Sequence, residues 1–103
     1  MMLVLKKIMD AVYGIIKNAG NGGIPINANI ASYPDVQSAV QGITPPITSH
    51  KRKKLVDKAL RNLLDENKIC VRTNNTGKLV YVINPNHPAS GVPSDSDIQN
   101  YYD

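Results

Sequence analysis

Two long stretches of the chain repeat apolar residues at the three- and four-residue steps of a helix. The first stretch, residues 3–19, has Val4, Ile8, Val12, Ile15, Ile16 and Ala19 at these steps. The second, residues 49–67, has Leu55, Val56, Ala59, Leu60, Leu63 and Leu64. Such spacing gathers the apolar side chains into one stripe. The sequence therefore predicts two amphipathic helices, and either Thr48 or Ser49 can cap the second.

The segment between these helices is broken by glycine and proline. Residues 24–26 (IPI) predict a very short extended segment, because proline pushes the residue before it toward β geometry. A short helix is predicted at about residues 34–41, since Pro34 suits a first helical turn, with a further helical turn at 28–32. The two prolines of ITPPIT (43–48) predict an extended linker.

Alternating residues follow the second long helix. Residues 69–73 (ICVRT) and 78–83 (KLVYVI) alternate with a period of two, and the turn residues NNTG (74–77) separate them. This pattern predicts a β-hairpin. Residues 86–103 are rich in Pro, Ser and Asp and show no periodicity, so we expect a flexible acidic tail after one α+β domain at residues 1–85.

Composition limits the class of protein. A chain of 103 residues fits one domain, and five Tyr with no Phe or Trp predict an aliphatic core. A single cysteine, Cys70, excludes an internal disulfide, which is typical of a reducing intracellular setting. No apolar run approaches the roughly 20 residues that span a bilayer, so we expect no membrane contact.

Charge is distributed unevenly along the chain. Residues 49–78 contain nine Lys or Arg and three acids, a net charge of 9 − 3 = +6. Residues 86–103 contain three Asp and no Lys or Arg, a net charge of −3. A basic body with an acidic end predicts a polyanionic partner for the body.

The strongest signal is KRKK (51–54), in the first turn of the second long helix. A helix N-terminus is the positive end of the backbone dipole, where each cation costs about 0.3–1 kcal/mol. A solvated helix end would explain the run without a function, and KRKK also matches a nuclear-localisation pattern. An anionic partner explains why the cost is tolerated.

The order of elements resembles a winged-helix domain: an α+β, small winged helix-turn-helix with three helices, a short strand after helix 1 and a C-terminal two-stranded wing. The resemblance covers residues 3–85 and implies that 49–67 is the recognition helix and 69–83 the wing. Three segments, VYGIIKNAGNGGI (12–24), LVDKALRNLLDENKI (55–69) and GKLVYVINP (77–85), are similar to a winged-helix domain of the TFIIE-related subunit of RNA polymerase III. Pro25 and the long 43–48 linker depart from that pattern, and an archaeal, viral or bacterial winged-helix regulator stays open.

The resemblance implies double-stranded DNA binding in transcription, by a regulator or a polymerase-associated factor. In helix-turn-helix proteins the N-terminal residues of the recognition helix meet base edges and phosphates. The candidate DNA-binding residues on the helix and the wing are Ser49, His50, Lys51, Arg52, Lys53, Lys54, Lys58, Arg72, Asn74, Asn75 and Lys78. A polar hairpin without a function is the alternative for the wing residues.

A second hypothesis is a winged helix that contacts proteins within an RNA polymerase or other transcription assembly. It predicts an exposed apolar patch on residues 36–47, whose Ile43, Pro45, Pro46 and Ile47 have no obvious core role. Monomer and homodimer both stay open. The expected location is intracellular: the nucleus in a eukaryote, otherwise the cytoplasm.

Catalysis has little support in the sequence. GNGG (20–23) lacks the Lys-Ser/Thr of a phosphate-binding loop and does not lie between a strand and a helix. Neither His50 nor His87 belongs to a nucleophile–base set, and no Cys and His cluster suggests a metal. We therefore expect no enzyme activity, no catalytic residues, no metal and no cofactor.

Overall fold

The computed structural model describes residues 2–85, and the expected acidic tail at 86–103 lies outside them. Three helices and three strands follow one another in the order α1, β1, α2, α3, β2, β3. Their bounds are Met2–Ala19 (α1), Ile24–Pro25 (β1), Pro34–Ala39 (α2), Ser49–Asp65 (α3), Ile69–Thr73 (β2) and Leu79–Ile83 (β3). Two 3-10 turns, Gly20–Gly22 and Ile30–Ser32, flank β1 and precede α2. The α+β class is confirmed.

The ends of α3 have identifiable causes. At its start the Lys51 backbone N–H donates to Thr48 Oγ1 at 3.1 Å, so Thr48 rather than Ser49 is the cap. At its end Asn67 takes a positive φ of 60°. The N–H of Asn67 then donates to Leu64 O and that of Lys68 to Leu63 O, both at 3.0 Å. These two bonds form the left-handed C-terminal cap of a helix and end α3 two residues before the predicted boundary.

The short helical segment before the linker packs on both long helices. The 3-10 turn at Ile30–Ser32 contacts α3, and α2 contacts α1. Ile30, Ala31 and Val36 are buried in this region. Pro34 begins α2 as predicted, and the helix ends two residues earlier than expected, at Ala39.

The three strands form one antiparallel sheet in the order β1-β3-β2. Ile24 lies opposite Tyr81, and Ile69 and Thr73 lie opposite Ile83 and Leu79. The approach of β1 to β3 depends on Gly23, which has a φ of 69°. A Cβ at this position would lie 2.6 Å from Val80 Cγ2 and 2.7 Å from Tyr81 O.

The core is aliphatic, as the composition predicts. It is built from α1, α3, the 3-10 turn at Ile30–Ser32, α2 and the base of the sheet, and its fully buried large side chains are Ile8, Val12, Ile16, Val36, Leu63 and Ile69. Val80 of β3 is fully buried as well. No polar or charged side chain among the described residues is buried. Within residues 2–85, no helix has the length and hydropathy needed to cross a membrane.

The hairpin leaves the body as it approaches its turn. Ile69, at the base of β2, is 1% exposed, whereas Val71 is 43% exposed. Leu79, the first residue of β3, is 50% exposed. The 74–77 turn therefore projects into solvent beyond the core.

Candidate nucleic-acid interface

The first two turns of α3 present their charges to solvent. Ser49, His50, Lys51, Lys53 and Lys54 are all exposed. Their backbone N–H groups belong to the end of the helix where the dipole is positive. The predicted cationic end is therefore accessible to a ligand.

Basic residues continue along one outer face of α3. Lys51, Lys54 and Lys58 are exposed, and steps of three and four residues bring them together on this face. Arg61 extends the same row by one turn and is also exposed. We call these four residues the basic stripe. The sequence hypothesis omitted Arg61, although its three-residue step from Lys58 is visible in the sequence.

Within residues 2–85 no member of the basic stripe forms an ion pair. The ion pair that the structure describes joins Lys68 Nζ to Glu66 Oε1 at 3.2 Å, beyond the C-terminal end of α3. Asp57 and Asp65 are also on α3, but neither lies within ion-pair distance of a described cation. The basic stripe is thus an exposed and largely uncompensated positive surface.

Arg52 has a different environment from its neighbours. It is half-buried, and its Nε–H donates to the backbone oxygen of Ala31 at 2.9 Å. This bond ties the first turn of α3 to the 3-10 turn in front of α2. The side chain predicted to contact DNA therefore also positions the helix, and this contact leaves its terminal Nη groups for a ligand.

A shallow depression of about 260 Å³ lies where α3 meets the 3-10 turn. It brings together four predicted site residues with three that the sequence hypothesis did not include. The lining residues are Asn29, Ala31, Ser32, Ser49, His50, Arg52 and Lys53. The depression therefore combines polar groups with the cationic end of α3.

The tip of the hairpin is held by its own side chains. Asn74 Oδ1 accepts hydrogen bonds from the Thr76 N–H, the Thr76 hydroxyl and the Lys78 N–H, at 2.9, 2.7 and 3.0 Å. The carboxamide oxygen of Asn74 is therefore used to shape the turn. Asn75 and Lys78 are exposed and remain available as contacts.

Arg72 joins the hairpin to the loop after α1. Its Nη2 donates to the backbone oxygen of Asn21 at 3.0 Å, across 51 residues of sequence. A depression of about 600 Å³ lies beside this bond, lined by Asn21, Gly22 and residues 72–76. The GNGG segment thus meets the hairpin near its turn, which its sequence did not indicate.

The sheet adjoins one side of α3. Burial raises the pKa of Tyr81 on β3, and the carboxylate of Asp57 on α3 raises it further. Asp57 lies one turn after Lys54 and one turn before Arg61 on the surface of α3. α3 also contacts β2, the first strand of the hairpin.

The protein-interaction hypothesis predicts an exposed apolar patch at residues 36–47. Val36 is fully buried and Ile43 and Ile47 are half-buried, whereas Pro45 and Pro46 are exposed. Among the described residues the large exposed apolar side chains are Ile26, Val71 and Leu79, all on or beside the sheet. An exposed apolar patch is therefore present on the sheet.

Two further observations bear on the type of protein. The described part of the chain contains no group of three His, Cys, Asp or Glu side chains that could hold a metal ion. Comparison of the chain with protein-family models, with curated proteins and with solved structures finds no match.

Proposed function

We propose that this protein binds double-stranded DNA in transcription, as a winged-helix domain with α3 as recognition helix and β2–β3 as wing. The observation that carries the proposal is the basic stripe. Its lysines are exposed, form no ion pair with the described residues, and begin at the end of α3 where cations are least favoured. A DNA backbone would supply the missing negative charge, and release of its counterions would favour binding.

The positions of the side chains support separate roles within this proposal. Lys51, Lys54 and Lys58 would contact phosphates from the outer face of α3. Ser49, His50 and Lys53, at the depression beside the 3-10 turn, would approach base edges or sugars. Both sets would enter the same groove, because they lie on the first three turns of one helix.

The wing would contact the backbone or the minor groove beside the helix. Asn75 and Lys78 are the exposed candidates at its tip, and Arg72 would act while bonded to the loop after α1. Arg52 and Asn74 would chiefly position the helix and the turn, because their side chains already bond within the fold.

A titration of random-sequence duplex DNA tests the proposal. About five phosphate contacts should give a slope near −4 or −5 in a plot of log affinity against log salt concentration. The assay is a gel shift or fluorescence anisotropy measurement between low and moderate salt, with a single strand as the comparison. Affinity that does not change with salt would contradict phosphate contacts and with them the proposal.

The alternative proposal is a winged helix that contacts proteins of an RNA polymerase or other transcription assembly. The exposed Ile26, Val71 and Leu79 support it. A pull-down with and without nuclease separates the two proposals. Partners that are lost on nuclease treatment favour DNA binding, and partners that are retained favour direct protein contact.

A further inference from the structure

The outer edge of the sheet, strand β2, has unpaired backbone groups. In an antiparallel pair, hydrogen-bonded and non-hydrogen-bonded residue pairs alternate. The bonds from Asn74 N to Lys78 O, at 2.8 Å, and from Asn84 N to Lys68 O, at 3.0 Å, fix this alternation at both ends of the hairpin. The backbone N–H and C=O groups of Arg72 and Cys70 therefore bond to β3. Those of Val71 and Thr73 point outward, away from β3.

Nothing in the described part of the chain covers this edge. β2 has β3 on one side and no strand on the other. Val71 and Thr73 are exposed, and their outward groups have no partner within residues 2–85. An edge of this kind is a template for an added strand.

One face of the sheet beside the edge is apolar. The register places Val71 next to Tyr81, and the N–H of Ile26 donates to Leu79 O at 3.2 Å. Because side chains alternate across a strand, Ile26, Leu79 and Val71 share this face, and Thr73 lies between Leu79 and the open edge. Ile26, Leu79 and Val71 are 42%, 50% and 43% exposed. The opposite face of β2 carries the exposed Arg72.

The uncompensated charge along the hairpin is positive. Arg72 and Lys78 form no ion pair with the described residues, whereas Lys68 at the base of the hairpin is paired with Glu66. A second copy of the chain would bring a second set of these cations to the same place, which is unfavourable. The charge therefore favours an acidic occupant over self-pairing.

We propose that the open edge of β2 binds an extended segment of a partner protein in which apolar and acidic residues alternate. Its backbone pairs with the outward groups of Val71 and Thr73. Its apolar side chains lie beside Val71 and Thr73, with Leu79 one strand further from the edge, and its acidic side chains lie on the opposite face beside Arg72. This proposal locates the protein contact of the alternative function at the edge of β2, and it does not require DNA binding.

The probe is a synthetic peptide in which Val and Glu alternate, added to the full-length protein. The measurement is amide hydrogen exchange by NMR. We expect the exchange of the Val71 and Thr73 amides to slow on binding. The amides of Arg72 and Val80 should change little, because the ladder already protects them. A peptide in which Val and Lys alternate is the charge control and should bind about tenfold more weakly.

Two variants make the test specific to the edge. Val71→Pro removes an outward N–H and no ladder bond, so the hairpin should persist while binding of the Val–Glu peptide is lost. Arg72→Glu should reverse the charge preference, so that the Val–Lys peptide becomes the better ligand. If Val71→Pro unfolds the hairpin, the peptide preference of the Arg72→Glu variant still tests the proposal.

The outcomes separate this site from its alternatives. Slowed exchange at Val71 and Thr73 with the expected charge preference supports the proposal. Equal binding of both peptides, or binding without protection of these two amides, overturns it. Protection that grows with protein concentration and without peptide would assign the edge to a second copy and also overturn it. Failure of the peptide with partners still retained in the nuclease-treated pull-down would place the protein contact elsewhere.

Discussion

At Gly23 the backbone comes so close to β3 that a side chain has no room. The positive φ of 69° disfavours other residues, and a Cβ would lie 2.6 Å from Val80 Cγ2. Both effects destabilise only the folded state, because the unfolded chain has neither the positive φ nor the close contact with β3.

We predict that Gly23→Ala lowers the free energy of unfolding by about 1–3 kcal/mol or more. The matched control is Gly14→Ala, in the middle of α1, where a Cβ meets nothing within 4 Å. That change should stabilise the protein by about 0.5–1 kcal/mol. Urea unfolding of both variants checks the pair, and equal effects would contradict the close approach of β1 and β3.

Arg52 combines a charge with a geometric role, and one substitution separates the two. Lys at this position keeps the charge and loses the Nε–H that donates to Ala31 O. We predict that Arg52→Lys lowers the free energy of unfolding by about 1 kcal/mol, while the salt dependence of DNA binding is retained. Lys54→Ala is the control, since this exposed side chain should affect binding and not stability. A stable Arg52→Lys with weakened DNA binding would instead make Arg52 a direct contact.

Tyr81 should give stability a pH dependence in the alkaline range. Burial and, second, the charge of Asp57 raise the pKa of Tyr81 above its ordinary value of 10.0. The folded state therefore holds the phenol proton more tightly than the unfolded state does. The resulting stabilisation is complete below pH 10 and is lost as the pH rises through the folded-state pKa.

The check is thermal unfolding of the protein and of Tyr81→Phe at a series of pH values. The difference in stability between them should be constant near neutral pH and should shrink above pH 10. A difference that stays constant across that range would show that Tyr81 titrates normally in the fold.

At the level of elements, α3 combines a favourable cap with an unfavourable charge. The Lys51 N–H bonds to Thr48 Oγ1, which satisfies a free donor, while the lysines beside it oppose the dipole. We predict that Thr48→Ala lowers the free energy of unfolding by about 1 kcal/mol. Ser49→Ala, one residue later, should change it little. Circular dichroism during urea unfolding checks the two, and equal losses would contradict Thr48 as the cap.

The elements themselves could be predicted from the sequence because each has a local cause. Apolar spacing located α1 and α3, alternation and NNTG located the hairpin, and Pro34 located the start of α2. The end of α3 was placed two residues late. Asparagine can adopt the left-handed conformation that Asn67 has, but the sequence does not require it.

The contacts of the candidate site could be predicted less well, since they join distant parts of the chain. Arg52 meets Ala31 and Arg72 meets Asn21, across 21 and 51 residues. The positive charge of these side chains was visible, but the backbone oxygens that they bind depend on how α3 and the hairpin pack. The exposure of Val71 and Leu79 likewise follows from how far the hairpin projects from the core.

At the scale of the whole molecule, the proposed DNA and protein partners bind different surfaces. The basic stripe on α3 faces outward, and the open edge of β2 lies on the outer side of the adjoining sheet. Removing charge from the stripe should therefore weaken DNA binding and leave binding of the Val–Glu peptide at Val71 and Thr73 intact.

The most direct test of the central claim compares two variants with the same net charge. Lys51, Lys54 and Lys58 are replaced by Ala in one, and Lys6, Lys7 and Lys17, exposed on α1, in the other. We predict that the first variant loses about three units from the slope of log affinity for duplex DNA against log salt concentration, at about 0.9 per phosphate contact. The second variant should keep the slope of the unmodified protein. Equal slopes for the two variants would contradict the claim that α3 is the surface that meets DNA.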